Sequence, residues 1–305
     1  MIPFHLVTGF LGSGKTTLLK SILGQYAGRK RIAVIQNEFA ASGTDGQELA
    51  LTGSDFKLVE VNNGSVFCVC MLGTFSASLR NVIDTYQPEM IFLEASGLSD
   101  PINILELLQD PIISEEISLS HIFAIVDGVH FEHAVKMLSR TRHQVMVADT
   151  VVVNKVDLLT GEATDRVRSA VTAINPFATV IEASYCNLDL DQYILGARTF
   201  HQAAEAFGKK EGGGRPDVKA VVLRINRRIT PGGLHAFVGA LQSSCPRIKG
   251  YANTTDGKVL MIQSVFGTYE HQVAENYVGP TEIIAFGRNF TPRRLKETFL
   301  KYLEQ

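Results

Sequence analysis

The sequence predicts a doubly wound, mostly parallel α/β sheet followed by a smaller α+β domain, and three observations predict it. Short apolar runs alternate with helix-period segments through the first two thirds of the chain, the signature of successive βαβ units. A glycine-rich loop, Gly9-Phe10-Leu11-Gly12-Ser13-Gly14-Lys15-Thr16, joins the first apolar run to the first helical pattern. After a Gly-rich, charged stretch the pattern changes to β-α-β-β-β-α.

Taken in order, Phe4–Val7, Arg31–Gln36, Lys57–Val61, Met90–Leu93, Ile122–Val126, Val151–Asn154 and Thr179–Ile181 read as strands. Several are continuous Val/Ile/Leu/Phe runs, which suits parallel strands buried on both faces. Helical patterns lie near 15–25, 74–86, 102–109, 130–147 and 161–174. The first domain is expected over 1–200, a linker ending in Gly212-Gly213-Gly214 over 201–217, and the second domain over 218–305. Within the second, Val218–Ile225, Arg247–Tyr251, Lys258–Val265 and Glu282–Phe286 read as strands, with a hairpin-type turn at Thr255-Asp256-Gly257. Thr230-Pro231 and Thr291-Pro292 pair an N-cap with a proline at the first helical position, so helices are expected to run to about Leu241 and Leu303. That order suggests helices on one face of an antiparallel sheet.

Composition narrows the function. The 305 residues are 45% hydrophobic and 20% charged, with a net charge of −2, which argues against a dominant nucleic-acid or anionic-membrane surface. No apolar run approaches the roughly 18 residues of a membrane span, and the N-terminal apolar stretch lacks the basic flank of a signal peptide. Four cysteines are too few for a disulfide framework. A cytoplasmic protein is expected.

The loop at Gly9–Thr16 fits G-x-x-x-x-G-K-[ST], the phosphate-binding loop of P-loop NTPases. Gly9, Gly12, Ser13, Gly14, Lys15, Thr16 and Thr17 are the expected phosphate cradle. Glycines let successive N–H groups point at phosphate oxygens, and the helix N-terminus adds partial positive charge. Lys15 reaches the β- and γ-phosphates and the Thr16 hydroxyl ligates Mg²⁺. Asn154-Lys155-Val156-Asp157 follows the strand at 151–154 and reads as N-K-x-D, a guanine-reading motif. The Asp157 carboxylate can accept from both guanine N1–H and its exocyclic amine, whereas adenine would leave it unpaired. Asn154 can bond the base edge and hold neighbouring loops, and the Lys155 stem can cover the base. Ala183-Ser184 is a candidate backbone donor to the base. Met90-Ile91-Phe92-Leu93-Glu94 resembles a Walker B strand, with Glu94 holding Mg²⁺ through water or positioning the attacking water. Gly97 in the turn after it lets a backbone N–H approach the γ-phosphate. Asp127 ends another strand, either facing the site or capping the next helix.

On these residues, with Asn37-Glu38-Phe39 after the second strand, the chain resembles the CobW-type P-loop GTPases, relatives of the urease and hydrogenase nickel-insertion GTPases. The resemblance implies GTP hydrolysis to GDP, with Glu38 and Glu94 near the γ-phosphate, coupled to delivery of a metal or metallocofactor to a client. Family members usually carry C-x-C-C directly after an Asn-Gly. Here Asn63-Gly64 is followed by Ser65-Val66-Phe67-Cys68-Val69-Cys70-Met71. Cys68 and Cys70 are therefore the candidate ligands for Zn²⁺ or another soft metal, although a closed zinc site wants four ligands; Met71 suits Cu(I) rather than Zn²⁺. The acid often found just after Glu38 is replaced by Ala40-Ala41-Ser42. His130 and His133 lie three apart on a helical pattern, the spacing of a shared face and also of two solvated histidines. Cys186 and Cys245 read as isolated cysteines.

The expected partners are guanine nucleotide and a client metalloprotein or corrinoid protein, with a homodimer left open. Three readings compete: a metal-delivering GTPase, a GTPase switch that gates a client without binding metal, and a small-molecule kinase, which N-K-x-D disfavours.

Overall fold

The computed structural model describes residues 1–36, 56–60, 72–108, 113, 115–194, 219–242, 244–245, 247–265, 268–275, 277–287 and 290–303. Two compact units result, one of Met1–Thr172 with Ala178–Ala197 and one of Ala173–Phe177 with Arg198–Gln305. The expected linker, with Glu38, Cys68, Cys70 and Met71, lies outside the described residues.

The first unit is built on β1 (Ile2–Gly9), β2 (Ile32–Gln36), β3 (Lys57–Glu60), β4 (Met90–Glu94), β5 (Ile117–Asp127), β6 (Thr150–Asn154) and β7 (Thr179–Ala183). They form one sheet in the order β3-β2-β4-β1-β5-β6-β7, with every pairing parallel. Helices α1 (Lys15–Tyr26), α2 (Leu72–Tyr86), α3 (Pro101–Leu107), α4 (Phe131–Met137), α5 (Ser139–Val147), α6 (Gly161–Ile174) and α7 (Asp191–Ile194) connect the strands. The central strands are buried along their length, as a parallel sheet covered on both faces requires. Leu18, Leu19, Ile22 and Leu23 of α1 pack on Val7, Val34 and Phe92, an apolar stripe at helical spacing.

Strand registers place the chemistry. The chain leaves β1 toward β2–β4 on one side and toward β5–β7 on the other. The carboxyl end of β1 is thus the point of reversal at which open α/β sheets bind ligands. Gln36 aligns with Glu94, Asp127 with Asn154, and Asn154 with Ala183. All of these strand-ending residues reach that one edge.

Two features differ from the sequence expectation. The helix expected over 130–147 is broken at Leu138, which is extended at φ −130°, ψ 113° and caps α5. Apolar spacing runs in phase through both halves, so periodicity does not register a one-residue break. Strand β5 also begins five residues earlier than expected, and it carries an irregularity opposite Phe4/His5.

The second unit has β8 (Lys219–Ile225), α8 (Pro231–Leu241), β9 (Arg247–Asn253), β10 (Val259–Val265), β11 (Thr268–Val273), β12 (Thr281–Gly287) and α9 (Pro292–Lys301). Its antiparallel sheet runs β11-β10-β9-β12-β8. Both Thr-Pro starts act as read: Thr230 Oγ1 accepts the Gly233 N–H at 2.9 Å and Thr291 Oγ1 the Arg294 N–H at 3.2 Å. Phe237 and Phe299 meet edge to face at 5.2 Å in a core with Leu223, Ile248 and Ile283. The sequence reading missed β11. It is an edge strand whose residues are almost all exposed, so no apolar alternation marks it.

Candidate functional site

The loop between β1 and α1 curls as its glycines dictate. Gly14 has φ +111°, a region closed to most L-residues. A Cβ there would also lie 2.4 Å from Asn154 Nδ2. The Ser13 hydroxyl is buried and has no hydrogen-bond partner among the described residues, although buried polar groups are ordinarily paired. An unsatisfied donor in this loop fits a phosphate oxygen. Lys15 is buried, and its Nζ donates to Phe10 O at 3.1 Å, folding back over the loop.

Glu94 stands at the centre of the edge. The Thr16 hydroxyl donates to its Oε1 at 2.9 Å, and Gln36 Nε2 donates to its Oε2 at 2.7 Å. A hydroxyl and a carboxylate in contact next to the phosphate loop are oxygen donors of the kind Mg²⁺ takes, so Thr16 and Glu94 are the residues that fit it. Gln36 escaped the sequence reading. Its only signal was a polar side chain ending an apolar run.

The base-reading segment is tied to the phosphate loop through Asn154. Its Nδ2 donates to Ser13 O and its Oδ1 accepts the Cys186 N–H, both at 2.9 Å. The side chain is 3% exposed. Cys186 Sγ meets Gly14 O at 3.4 Å, so this cysteine is part of the site's scaffold, a placement no sequence signal announced. Burial pushes its thiol up to about 12. The thiol of Cys245, in the second unit, is likewise pushed up to about 12 by burial. Both are therefore poor sources of the thiolate that metals need.

Lys155 has φ +65°, and its Nζ forms a 2.7 Å ion pair with Asp127 Oδ2. Asp127 ends β5 beside Asn154, and the N-cap of α4 is His130 rather than Asp127. Its Oδ1 accepts the N–H groups of Val129 and His130 in the turn ahead of α4, at 3.0 and 3.3 Å, and its Oδ2 takes the Lys155 ion pair. Burial alone would raise this carboxyl. Hydrogen bonds from Lys155 and His130 outweigh it and hold the group below the usual carboxylate range. His130 precedes α4 rather than lying in it, with Nδ1 3.2 Å from Asp127 Oδ2. Asp157 and the Leu158 side chain are exposed just beyond, in a short 3-10 turn. Thr17 is exposed on the first turn of α1.

Gly97 abuts the phosphate loop: a Cβ there would lie 2.5 Å from Leu11 N. Its turn is closed by Ser99 N–H donating to Ser96 O at 2.9 Å. Among the described residues, no group of three or more His, Cys, Asp or Glu is placed to hold a metal ion, and no helix is long and apolar enough to cross a membrane.

Comparison with known proteins follows the same division. A family model described as CobW/HypB/UreG, nucleotide-binding domain, matches residues 3–182. One described as cobalamin synthesis protein cobW C-terminal domain matches residues 218–303. The zinc chaperone YjiA of Escherichia coli is 30% identical over 195 residues, 62% of this chain and 59% of that protein. The zinc-regulated GTPase metalloprotein activator 1 of Schizosaccharomyces pombe is 30% identical over 194 residues, 62% of this chain and 47% of that protein. The chain thus matches about half to three fifths of the length of these curated relatives. The crystal structure of the Zn(II)-bound E. coli YjiA GTPase superposes with a TM-score of 0.52 at 21% identity, covering 100% of this chain and 99% of that one, a likeness of fold.

Proposed function

The chain belongs to the CobW/HypB/UreG family, and on that premise we propose that it is a Mg²⁺-dependent GTPase that delivers a metal or metallocofactor to a client protein. One observation carries the nucleotide half of the reading. Asn154 hydrogen-bonds Ser13 O, so the N-K-x-D segment is held directly against the phosphate loop, and both ends of one guanine nucleotide can be served at a single sheet edge.

The residues then divide the work. Backbone N–H groups of Gly12–Thr16, with the Ser13 hydroxyl, receive phosphate oxygens, and Lys15 turns from Phe10 O to neutralise β/γ charge. Mg²⁺, when bound, supplies neutralisation of the charge that develops on the phosphates. Thr16 Oγ1 and Glu94 would hold it, and Gln36 keeps Glu94 facing inward. Glu38 is proposed to act beside the γ-phosphate with Glu94. Water is the nucleophile, and catalysis is positioning plus electrostatics. Asp157, exposed and without a side-chain hydrogen bond among the described residues, is left to read guanine.

Support for the metal half comes from the relatives named as zinc chaperones and from the Cys68-Val69-Cys70 spacing. Zinc is treated as cargo, held by that pair and by a third ligand that nucleotide-dependent ordering or a client supplies, in the cytoplasm. The test has two parts. Competition titrations should show GTP bound far more tightly than ATP, with Asp157→Asn moving the preference to xanthosine triphosphate. Chelator competition for Zn²⁺ with GDP and with a GTP analogue should give different affinities in wild type and no such difference in a Cys68→Ser, Cys70→Ser double variant. Equal zinc affinity in all four samples replaces metal delivery with a switch that gates its client.

A further inference from the structure

The turn after β4 is gripped from behind by one face of α5. Gln144 Nε2 donates to Gly97 O at 3.3 Å and to Ser99 O at 3.4 Å, and Arg140 Nη1 donates to Leu98 O at 2.8 Å. Three successive carbonyls thus accept from two side chains four residues apart, which share a helix face. One position earlier on that helix, His143 Nδ1 lies 2.9 Å from Asp100 Oδ2. The other oxygen of Asp100 receives the Ile102 N–H at 3.0 Å, so the end of the turn is pinned to the start of α3 as well. Gln144 is 2% exposed, and burying its amide costs stability unless hydrogen bonds such as these offset it.

The direction of these bonds matters. Each peptide unit is rigid and planar, with its N–H opposite its C=O. Fixing the carbonyls of Gly97 and Leu98 toward α5 turns the N–H of Leu98 away from that helix. The Ser99-to-Ser96 bond sets the Ser96–Gly97 peptide in the same way. On the opposite side of Gly97 stands Leu11 of the phosphate loop. The break at Leu138 separates α4 from α5, the helix that carries Arg140, His143 and Gln144.

We propose that Gln144 and Arg140 are positioning residues for phosphoryl transfer, aiming the backbone N–H groups of the Gly97 turn at the γ-phosphate. The inference rests on the GTPase reading above. It goes beyond it by assigning γ-phosphate sensing to side chains of α5 that act through the Gly97 turn. A donor aimed at the γ-phosphate distinguishes GTP from GDP, so the clamp should influence only the triphosphate state.

The experiment measures GDP affinity, GTP-analogue affinity and single-turnover hydrolysis for wild type, Arg140→Met, Gln144→Met and the pair. Methionine is close to glutamine in volume, so the buried site stays filled. The expected result is GDP affinity within about twofold of wild type in every variant, with analogue affinity and turnover reduced by roughly tenfold in the pair. Arg140→Lys, which keeps one donor, should restore part of the loss. A loss shared equally by GDP and the analogue would mark the clamp as merely structural and overturn the proposal, as would unchanged values for both. If Gln144→Met does not fold, Arg140→Met decides by the same ratio, since Arg140 is exposed. A wild type that fails to prefer GTP over ATP overturns the GTPase reading along with this one. A normal wild type with unaltered ratios in the variants overturns this one alone.

Discussion

Replacing Asn154 with alanine separates two roles that its sequence position leaves joined. If the side chain serves the base edge, its loss weakens nucleotide binding and leaves the nucleotide-free protein as stable as before. The structure commits it to the scaffold: Nδ2 to Ser13 O and Oδ1 from the Cys186 N–H, each at 2.9 Å, with the side chain 3% exposed. Alanine strands a buried carbonyl and a buried N–H, at about 1–3 kcal/mol each. The two groups flank one site and are not independent, so a total of about 3 kcal/mol is expected. In a domain of this size each kcal/mol shifts Tm by about 2–4 °C, so the nucleotide-free variant should melt about 6–12 °C below wild type. Asn154→Asp should be worse, because a carboxylate replaces the amide donor facing Ser13 O. The assay is calorimetry on nucleotide-free protein, with GDP affinity measured in parallel. A variant that melts within about 2 °C of wild type while losing GDP affinity refutes the scaffold argument.

Three further outcomes are expected. Cys186 and Cys245, buried with thiols pushed up to about 12, should resist a disulfide reagent at pH 8 in the native protein and react on unfolding, checked by timed labelling and mass spectrometry. Lys155→Met should change the pH dependence of stability: the wild-type Asp127 carboxyl is held low, so its contribution is present above the unfolded pKa and lost as pH falls through the lower folded one. In the variant the Lys155 hydrogen bond and charge are gone and that carboxyl moves up, so the deficit relative to wild type should be full at pH 7 and shrink as pH falls below about 4, measured by denaturant melts. Thr291→Ala removes the N-cap acceptor for Arg294 N–H and should destabilise the second unit by about 1 kcal/mol, with Thr291→Ser recovering most of it.

What the sequence determined by itself is whatever local chemistry dictates. The buried apolar runs specified the seven parallel strands, the spacing of Gly9–Thr16 specified the loop between β1 and α1, and the two Thr-Pro pairs specified the starts of α8 and α9. Each signal lies within a dozen residues, where backbone sterics, capping and alternation act without tertiary help. Tertiary structure decided everything that depends on register between distant segments. It aligned Gln36 with Glu94 across β2 and β4, gave Asn154 a partner 141 residues away in Ser13, and drew Cys186 under Gly14. It broke a helix at Leu138 and set α5 against the Gly97 turn. Periodicity carries no record of such choices, because a polar side chain at the end of a strand or on one face of a helix reads the same whether it meets water or a backbone carbonyl. Only close packing, which penalises an unpaired polar group in the interior, selects its partner.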